Sequence, residues 1–154
     1  MELDETDRKI IAELRRDGRA SMSAVAQAVH ISRASAYARV NRLIESGVIA
    51  GFTARVDPVR AGLHSSAYVE LSLQQESWQK VSALLAQIPA IEHMALLGGD
   101  FDAILLVRAR DNRELRHVVL EQLRAIPEIR STKTSLIFED FDPRSLPPTT
   151  GDDA

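Results

Sequence analysis

Apolar residues recur at helical spacing in three short segments at the start of the chain. The first covers residues 4–17, and its stripe consists of Leu3, Ile10, Ile11 and Leu14. The second opens at Ser21, and the third covers residues 32–46 with an inward side predicted to be Ala36, Val40, Leu43 and Ile44. Only the break at His30-Ile31 separates the last two segments, so the pattern predicts a tri-helical helix-turn-helix unit.

The apolar positions lose their helical spacing after Gly47. The ones that follow predict a short extended segment, and they are Val48, Ile49, Phe52 and Val56. Two turn-forming pairs, Asp57-Pro58 and Ala61-Gly62, come next. We therefore expect a helix-turn-helix domain of winged-helix-like type over residues 1–56 and a linker over residues 57–64.

The second half alternates between strand-like and helix-like patterns. Strands and helices are predicted in the order strand, helix, strand, strand, helix, strand, at residues 66–73, 81–88, 91–97, 103–108, 111–126 and 129–141. The inward stripe of the first of these helices is predicted to be Val81, Leu84, Leu85 and Ile88. Asp111 is expected to cap the second, with Glu114 as its capping-box partner. Trp78 is expected to be a packing residue, and the tail at residues 143–154 to be disordered.

The order βαββαβ predicts a ferredoxin-like domain over residues 65–142, so the whole chain is of α+β class. Such a domain places both helices on one face of a four-stranded antiparallel sheet. Nothing in the chain is predicted to cover the other face, which favours pairing with a second copy.

Composition narrows the possible classes of protein. The chain has 45% hydrophobic and 27% charged residues, no cysteine and no apolar run of membrane-spanning length. We expect a cytoplasmic globular protein without a membrane partner. The net charge is −3, but residues 1–56 carry nine Arg and Lys against seven Asp and Glu, whereas residues 57–154 carry ten against fifteen. The excess of positive charge lies where contact with DNA phosphate is expected.

The third helix is predicted to be the recognition helix of the helix-turn-helix unit. Its outer side and capped start carry basic, small and hydrogen-bonding residues suited to a DNA major groove, and the candidate DNA contacts are Ser32, Arg33, Ala34, Ser35, Tyr37, Ala38, Arg39, Asn41 and Arg42. Arg39 is equally suited to phosphate or to an internal ion pair. The alternative interpretation is an ordinary solvated helix face. His30 stands where the turn often has glycine, and histidine tolerates the left-handed conformation better than most residues.

The chain resembles the leucine-responsive/AsnC family of transcription regulators. The resemblance covers residues 2–142 and includes the opening Leu-Asp-x-x-Asp, the run around Arg39-Val40-x-Arg42-Leu43, and Gly47-Val48-Ile49 followed by Gly51. In the second half it includes GGDFDAILLV, the step Ile126-Pro127-x-Ile129 and the strand Thr132-x-Thr134.

The resemblance implies a mechanism. Dimers would form through the uncovered sheets with help from the linker strand, and they would associate further into tetramers or octamers. Double-stranded DNA would be the partner, and an amino acid or related metabolite would shift assembly or DNA affinity. Carried over by position, the effector contacts would be Leu97, Gly98, Gly99, Asp100, Asp102, Ser135, Leu136 and Ile137.

Other interpretations stay open. Gly98-Gly99-Asp100 can be a plain hairpin turn, and Asp100 or Asp102 can cap backbone groups only. The four histidines lack metal-ligand spacing, and the acidic run Glu139, Asp140 and Asp142 has the character of solvated charge. We expect no catalytic residue, metal or cofactor. A siroheme decarboxylase of the same architecture is the enzyme alternative, and a ligand-binding module without DNA affinity is the third.

Overall fold

The structure, a computed structural model, describes residues 2–74 and 77–141. The chain falls into two units, Met1–Arg55 and Val56–Ala154. The tail that we predict to be disordered, residues 143–154, lies outside the described residues.

The first unit contains three helices: α1 (Glu5–Arg16), α2 (Met22–Ala28) and α3 (Arg33–Glu45). Each helix starts where a short polar side chain accepts a hydrogen bond from a backbone N–H three residues later, and these capping residues are Asp4, Ser21 and Ser32. The cap of α1 is reciprocal, because Asp7 also accepts from the N–H of Asp4.

The core of the first unit joins all three helices. It consists of Ile10, Leu14, Val25, Val29, Val40 and Leu43. The predicted inward position of Ile44 is wrong, since 44% of this residue is exposed. Ile44 lies one step beyond Leu43, and the side of α3 that meets the other helices is too narrow to include it.

Two left-handed residues shape the turns of this unit. His30 has φ 57° and lets the chain turn between α2 and α3, so the left-handed conformation expected there is confirmed. Gly47 has φ 74° just after α3. Residues 51–57 contain no helix or strand. The predicted extended segment therefore does not become a strand, because none of the described strands pairs with it.

The second unit has the predicted order of strands and helices. The elements are β1 (Ser65–Leu73), α4 (Trp78–Leu85), β2 (Ile91–Leu96), β3 (Ala103–Ala109), α5 (Asn112–His117) and β4 (Ile129–Ile137). The sheet order is β2-β3-β1-β4, and every neighbouring pair is antiparallel. This is the ferredoxin-like arrangement.

One face of the sheet packs on the helices and forms the core of the second unit. The sheet contributes Ala67, Val69, Leu71, Ala103, Leu105 and Val107, and the helical segments contribute Val81, Leu85, Leu115, Val118 and Leu123. Trp78 packs against this core as predicted. Leu84 does not belong to it, contrary to the predicted stripe, because it is exposed on the outer side of α4.

The second helical segment differs from its prediction in two ways. It changes after α5 into a π-helical turn, Val118–Gln122, in which the N–H of Leu123 donates to the carbonyl of Val118 at 2.9 Å. Asp111 caps α5 as expected. The capping box does not form, because the carboxylate of Glu114 accepts from the N–H and guanidinium of Arg110 instead.

Candidate functional site

Helix α3 presents the predicted DNA-contact residues in two groups. Arg33, Ala34, Tyr37 and Ala38 are exposed, while Ser35 and Asn41 are half-buried. Ser32 uses its hydroxyl to accept from the N–H of Ser35 at 3.1 Å. The exposed start and outer side of α3 thus combine a cationic group, small residues and an aromatic hydroxyl, which suits approach to a nucleic-acid groove.

Arg39 and Arg42 form the second group, which faces α1. Nη1 of Arg39 donates to Asp4 at 2.7 Å and to Asp7 at 2.8 Å. Nη2 of Arg42 donates to both carboxylate oxygens of Asp7, at 2.8 and 2.7 Å. These four residues, Asp4, Asp7, Arg39 and Arg42, form the Asp-Arg cluster. It ties the first turn of α1 to the middle of α3.

Charge pairing in the Asp-Arg cluster affects the exposed carboxylate as well. The hydrogen bond from Arg39, aided by the backbone N–H of Asp7, holds the pKa of Asp4 below its ordinary value. The hydrogen bonds to Asp4 and Asp7 raise the pKa of Arg39. Both groups are therefore charged at neutral pH, and the Arg39–Asp4 pair stays ionic.

The ionic role of Asp7 was missed by the sequence analysis. The sequence allows an internal ion pair as one option for Arg39 but does not identify its partner. A signal was available, because Asp7 shares the inward stripe of α1 with Ile10 and Leu14. A carboxylate within an apolar stripe needs a cationic partner from another element.

The candidate effector residues do not come together within one chain. Leu97, Gly98, Gly99, Asp100 and Asp102 belong to the turn before β3, which begins at Ala103 opposite Leu71. Ser135 to Ile137 pair with residues 66–68, at the other end of β1. Three to five residues of strand separate the two sets, or roughly 10–17 Å along the sheet.

Asp102 has a structural role in the turn. Its carboxylate accepts from the N–H of Leu73 at 2.6 Å, and its backbone N–H donates to Leu71 at 2.9 Å. Its carbonyl accepts from the N–H of Leu97 at 2.8 Å. Asp102 therefore ties the turn to the end of β1.

Neither the backbone conformation nor the surrounding space requires glycine at positions 98 and 99. Their φ angles lie outside the left-handed region, and a Cβ added to either would meet nothing within 4 Å. Leu97 and Leu96 beside them are exposed. The turn therefore offers open space next to apolar side chains.

The face of the sheet away from the helices is mixed in character. Tyr68 is exposed, and Glu70 pairs with Lys133 across β1 and β4 at 3.4 Å. Nζ of Lys133 also lies 5.4 Å from the ring centre of Phe101. No helix of the second unit, as far as it is described, covers this face.

Arg108 is buried at one end of that face. Its guanidinium donates to Glu92 at 2.6 Å, to Ser66 at 3.1 Å and to Asp140 at 2.7 Å. Asp140 stays solvent-exposed, as expected of the acidic run, with 47% of its side chain accessible, but it also pairs with the buried Arg108. Asp142 of the same run lies outside the described residues.

In residues 2–74 and 77–141, no group of three or more histidine or acidic residues could hold a metal ion. None of the described helices has the length and apolar character needed to cross a membrane.

Both parts of the chain match known protein families. Residues 3–50 match the family model described as winged helix-turn-helix DNA-binding, and residues 66–147 match the Lrp/AsnC ligand binding domain. The chain is 40% identical over 141 residues to the HTH-type transcriptional regulator AldR of Mycolicibacterium smegmatis, covering 90% of this chain and 82% of the relative. It is 33% identical over 140 residues to the proline dehydrogenase transcriptional activator of Rhodobacter capsulatus, covering 89% and 91%.

Solved structures agree in fold over nearly the whole chain. The crystal structure of MtbAldR has a TM-score of 0.78 at 32% identity and covers 94% of this chain and 100% of that one. Bacillus subtilis LrpC has a TM-score of 0.82 at 27% identity, covering 93% and 99%. With its helix-turn-helix unit and its ferredoxin-like ligand-binding domain, this chain belongs to the Lrp/AsnC family of DNA-binding transcriptional regulators.

Proposed function

We propose that α3 enters a DNA major groove and that its exposed residues make the sequence-selective contacts. Ala34 and Ala38 are exposed, and their small side chains allow close approach of the helix. Arg33, Tyr37 and Asn41 flank them with donors and acceptors for base edges and phosphates. The exposure of this row beside the internally paired arginines is the observation that carries the assignment.

The remaining candidates take supporting roles. Ser32 and Ser35 lie at the start of α3, where backbone N–H groups favour a phosphate. Arg42 keeps about half of its side chain exposed and contacts phosphate, whereas Arg39 mainly links the helices. The expected result for Arg42→Ala is weaker DNA binding with unchanged assembly.

DNA selection tests this proposal. The purified protein selects duplexes from a random-sequence pool, and affinity for the enriched duplex is measured by fluorescence anisotropy at several salt concentrations. We expect an enriched motif and a steep loss of affinity with salt. Tyr37→Ala and Asn41→Ala should change the motif, while Glu45→Gln serves as a control at the end of α3. Absence of any enriched sequence would argue against the proposal.

We further propose that the ligand of the second unit is an amino acid. Backbone N–H groups at the turn of Gly98 and Gly99 can receive a carboxylate, and Asp100 can hold an ammonium group. The open space around both glycines supports the assignment. A protein of the same fold, NMB0573 of Neisseria meningitidis, was solved in complex with L-Met, with a TM-score of 0.86 at 23% identity.

The site is proposed to lie between subunits. The two candidate halves, residues 97–102 and residues 135–137, are too far apart in one chain to touch the same small ligand. A second copy would bring its own Ser135, Leu136 and Ile137 to the turn. Ligand binding would then shift the equilibrium between assemblies, which couples effector and DNA.

Ligand screening tests the effector proposal. The twenty amino acids are added singly, and thermal unfolding, sedimentation and DNA affinity are compared with the free protein. One amino acid should change all three in wild type. Gly99→Val should fold normally, because its Cβ has open space, but should lose the response. An unchanged response in this variant would remove the turn from the site.

Assembly is proposed to start with a homodimer formed by the uncovered sheet face. Exposed Tyr68 on that face, and exposed Phe52 and Val56 in the segment that has no strand, are surfaces a second copy would cover. Dimers would associate further into tetramers or octamers in the cytoplasm. Light scattering on wild type and Tyr68→Glu tests this, since a charged residue should favour smaller species; equal masses would exclude the sheet face.

A further inference from the structure

Asp7 is a buried carboxylate in the apolar stripe of α1, and 1% of its side chain is exposed. It accepts one hydrogen bond from Arg39 and two from Arg42. A buried charge is tolerated only when it is paired, and both cationic partners of this one belong to the recognition helix. The buried carboxylate of Asp7 in α1 is thus hydrogen-bonded to α3, the helix proposed to contact DNA.

The two arginines are used to different extents. Arg39 is 28% exposed and bridges Asp4 and Asp7. Arg42 is 49% exposed, and only its Nη2 is engaged; within the described residues, Nη1 and Nε form no hydrogen bond. A guanidinium carries five N–H donors in a rigid plane. When one corner of that plane is held, the direction of the free donors is set.

We propose that Asp7 is a positioning residue for DNA binding, which holds Nη2 of Arg42 so that the free Nη1 and Nε of that guanidinium point at a phosphate of the duplex. This inference rests on the assignment of α3 to DNA under Proposed function. Arg39, shared by two carboxylates, remains a link between α1 and α3.

Preorganisation is the physical reason for the effect. A free arginine side chain loses rotamer freedom when it binds a phosphate, and that loss weakens binding. An arginine already fixed by Asp7 has lost this freedom during folding. The effect has a distinctive sign, because removal of a negative charge from a DNA-binding surface should by itself strengthen the attraction to DNA. Positioning predicts the opposite.

A double-mutant cycle separates positioning from a purely structural role. Affinity for the selected duplex is measured over a range of salt for wild type, Asp7→Asn, Arg42→Ala and the double variant. We expect Asp7→Asn to weaken binding about tenfold. Arg42→Ala should lower the slope of log affinity against log salt by about 0.9, the value for one phosphate. In the Arg42→Ala background, Asp7→Asn should cause no further loss.

Glu5→Gln is the matched control. It removes one carboxylate from the same helix, and among the residues that the structure describes the exposed Glu5 pairs only with Lys9, at 2.7 Å. Its DNA affinity should equal or slightly exceed that of wild type. Circular dichroism at the assay temperature establishes that each variant is folded. Binding by Asp7→Asn that is as tight as wild type, or losses from Asp7→Asn and Arg42→Ala that multiply in the double variant, would overturn the proposal.

Arg42→Lys keeps the test valid if Asp7→Asn fails to fold. It retains the positive charge and leaves Asp7 paired with Arg39. A single ammonium cannot both hold Asp7 and present a planar pair of donors to phosphate, so affinity should fall nearly as far as in Arg42→Ala. Wild-type affinity in Arg42→Lys would reject positioning. Failure of wild type itself to select any DNA would instead reject the proposed function.

Discussion

The carboxylate of Asp102 accepts a hydrogen bond from the backbone N–H of Leu73, 2.6 Å away, and so joins the turn before β3 to the end of β1. This bond changes how the candidate effector residue should be tested. A residue that accepts a hydrogen bond from a backbone N–H contributes to folding stability. Its replacement can therefore weaken the fold as well as the binding of a ligand.

Replacement of Asp102 is therefore expected to have two separable effects. Asp102→Ala should lower the stability of the second unit by about 1 kcal/mol, because the N–H of Leu73 loses its partner. Asp102→Asn keeps an oxygen acceptor and should stay close to wild type in stability. Thermal unfolding compares the stability of both variants with wild type, and Asp100→Ala is the stability control. Only a loss of ligand response in the stable Asp102→Asn variant would assign Asp102 to the effector site; equal stability of Asp102→Ala would disprove the structural role.

Leu43 and Ile44 are adjacent on α3 but should respond very differently to truncation. Leu43 is fully buried, so Leu43→Ala should destabilise the first unit by about 2–5 kcal/mol. Ile44 is 44% exposed, and Ile44→Ala should cost less than about 1 kcal/mol. Denaturant unfolding followed by circular dichroism compares the two. A large loss in Ile44→Ala would mean that another surface covers this residue, for example in an assembly.

Substitutions at the two left-handed residues of the first unit, His30 and Gly47, should affect its stability differently. His30→Gly should stabilise the first unit slightly or leave it unchanged, because glycine adopts φ 57° without steric cost. Gly47→Ala should destabilise the first unit by about 1 kcal/mol, because an alanine there must adopt φ 74°. Steric contact is not the cause, since an added Cβ meets no atom within 4 Å. Thermal unfolding of both variants measures the effect. Clear destabilisation in His30→Gly would show that the imidazole makes a contact worth more than the strain.

Glu128 should make the second unit sensitive to acid. The hydrogen bond from Lys80 holds the pKa of Glu128 below its ordinary value. A carboxyl with a lowered pKa in the folded state contributes stability above its unfolded pKa of about 4.3, and the contribution is lost as the pH falls below that value.

Glu128→Gln should therefore lower the melting temperature at pH 7 but narrow its gap to wild type as the pH falls towards 3. Melting temperatures of the two proteins between pH 7 and pH 3 give the comparison. Glu139→Gln, at an exposed position of the same unit, is the control. A gap that stays constant with pH would mean that the Lys80 pair does not act through this charge.

Sequence patterns were sufficient where the physical cause is local. Strand β1, the cap at Asp4 and the left-handed turn at His30 follow from periodicity, short polar side chains and backbone sterics, which act over a few residues. The patterns failed at Ile44 and Leu84, because a helical stripe does not define how wide the buried side is. Only the neighbouring helices and the sheet decide that width.

The sequence by itself determined the helix-turn-helix unit, the ferredoxin-like unit that follows it and the α+β class, since each depends on residue order and hydrophobic period. Only the tertiary structure decided which charges meet. Asp7 lies 32 and 35 residues from Arg39 and Arg42, and Arg108 meets Asp140 from another part of the chain. No local preference encodes such pairs. They form because burial leaves a charge unstable until the fold brings a partner of opposite sign within hydrogen-bond distance.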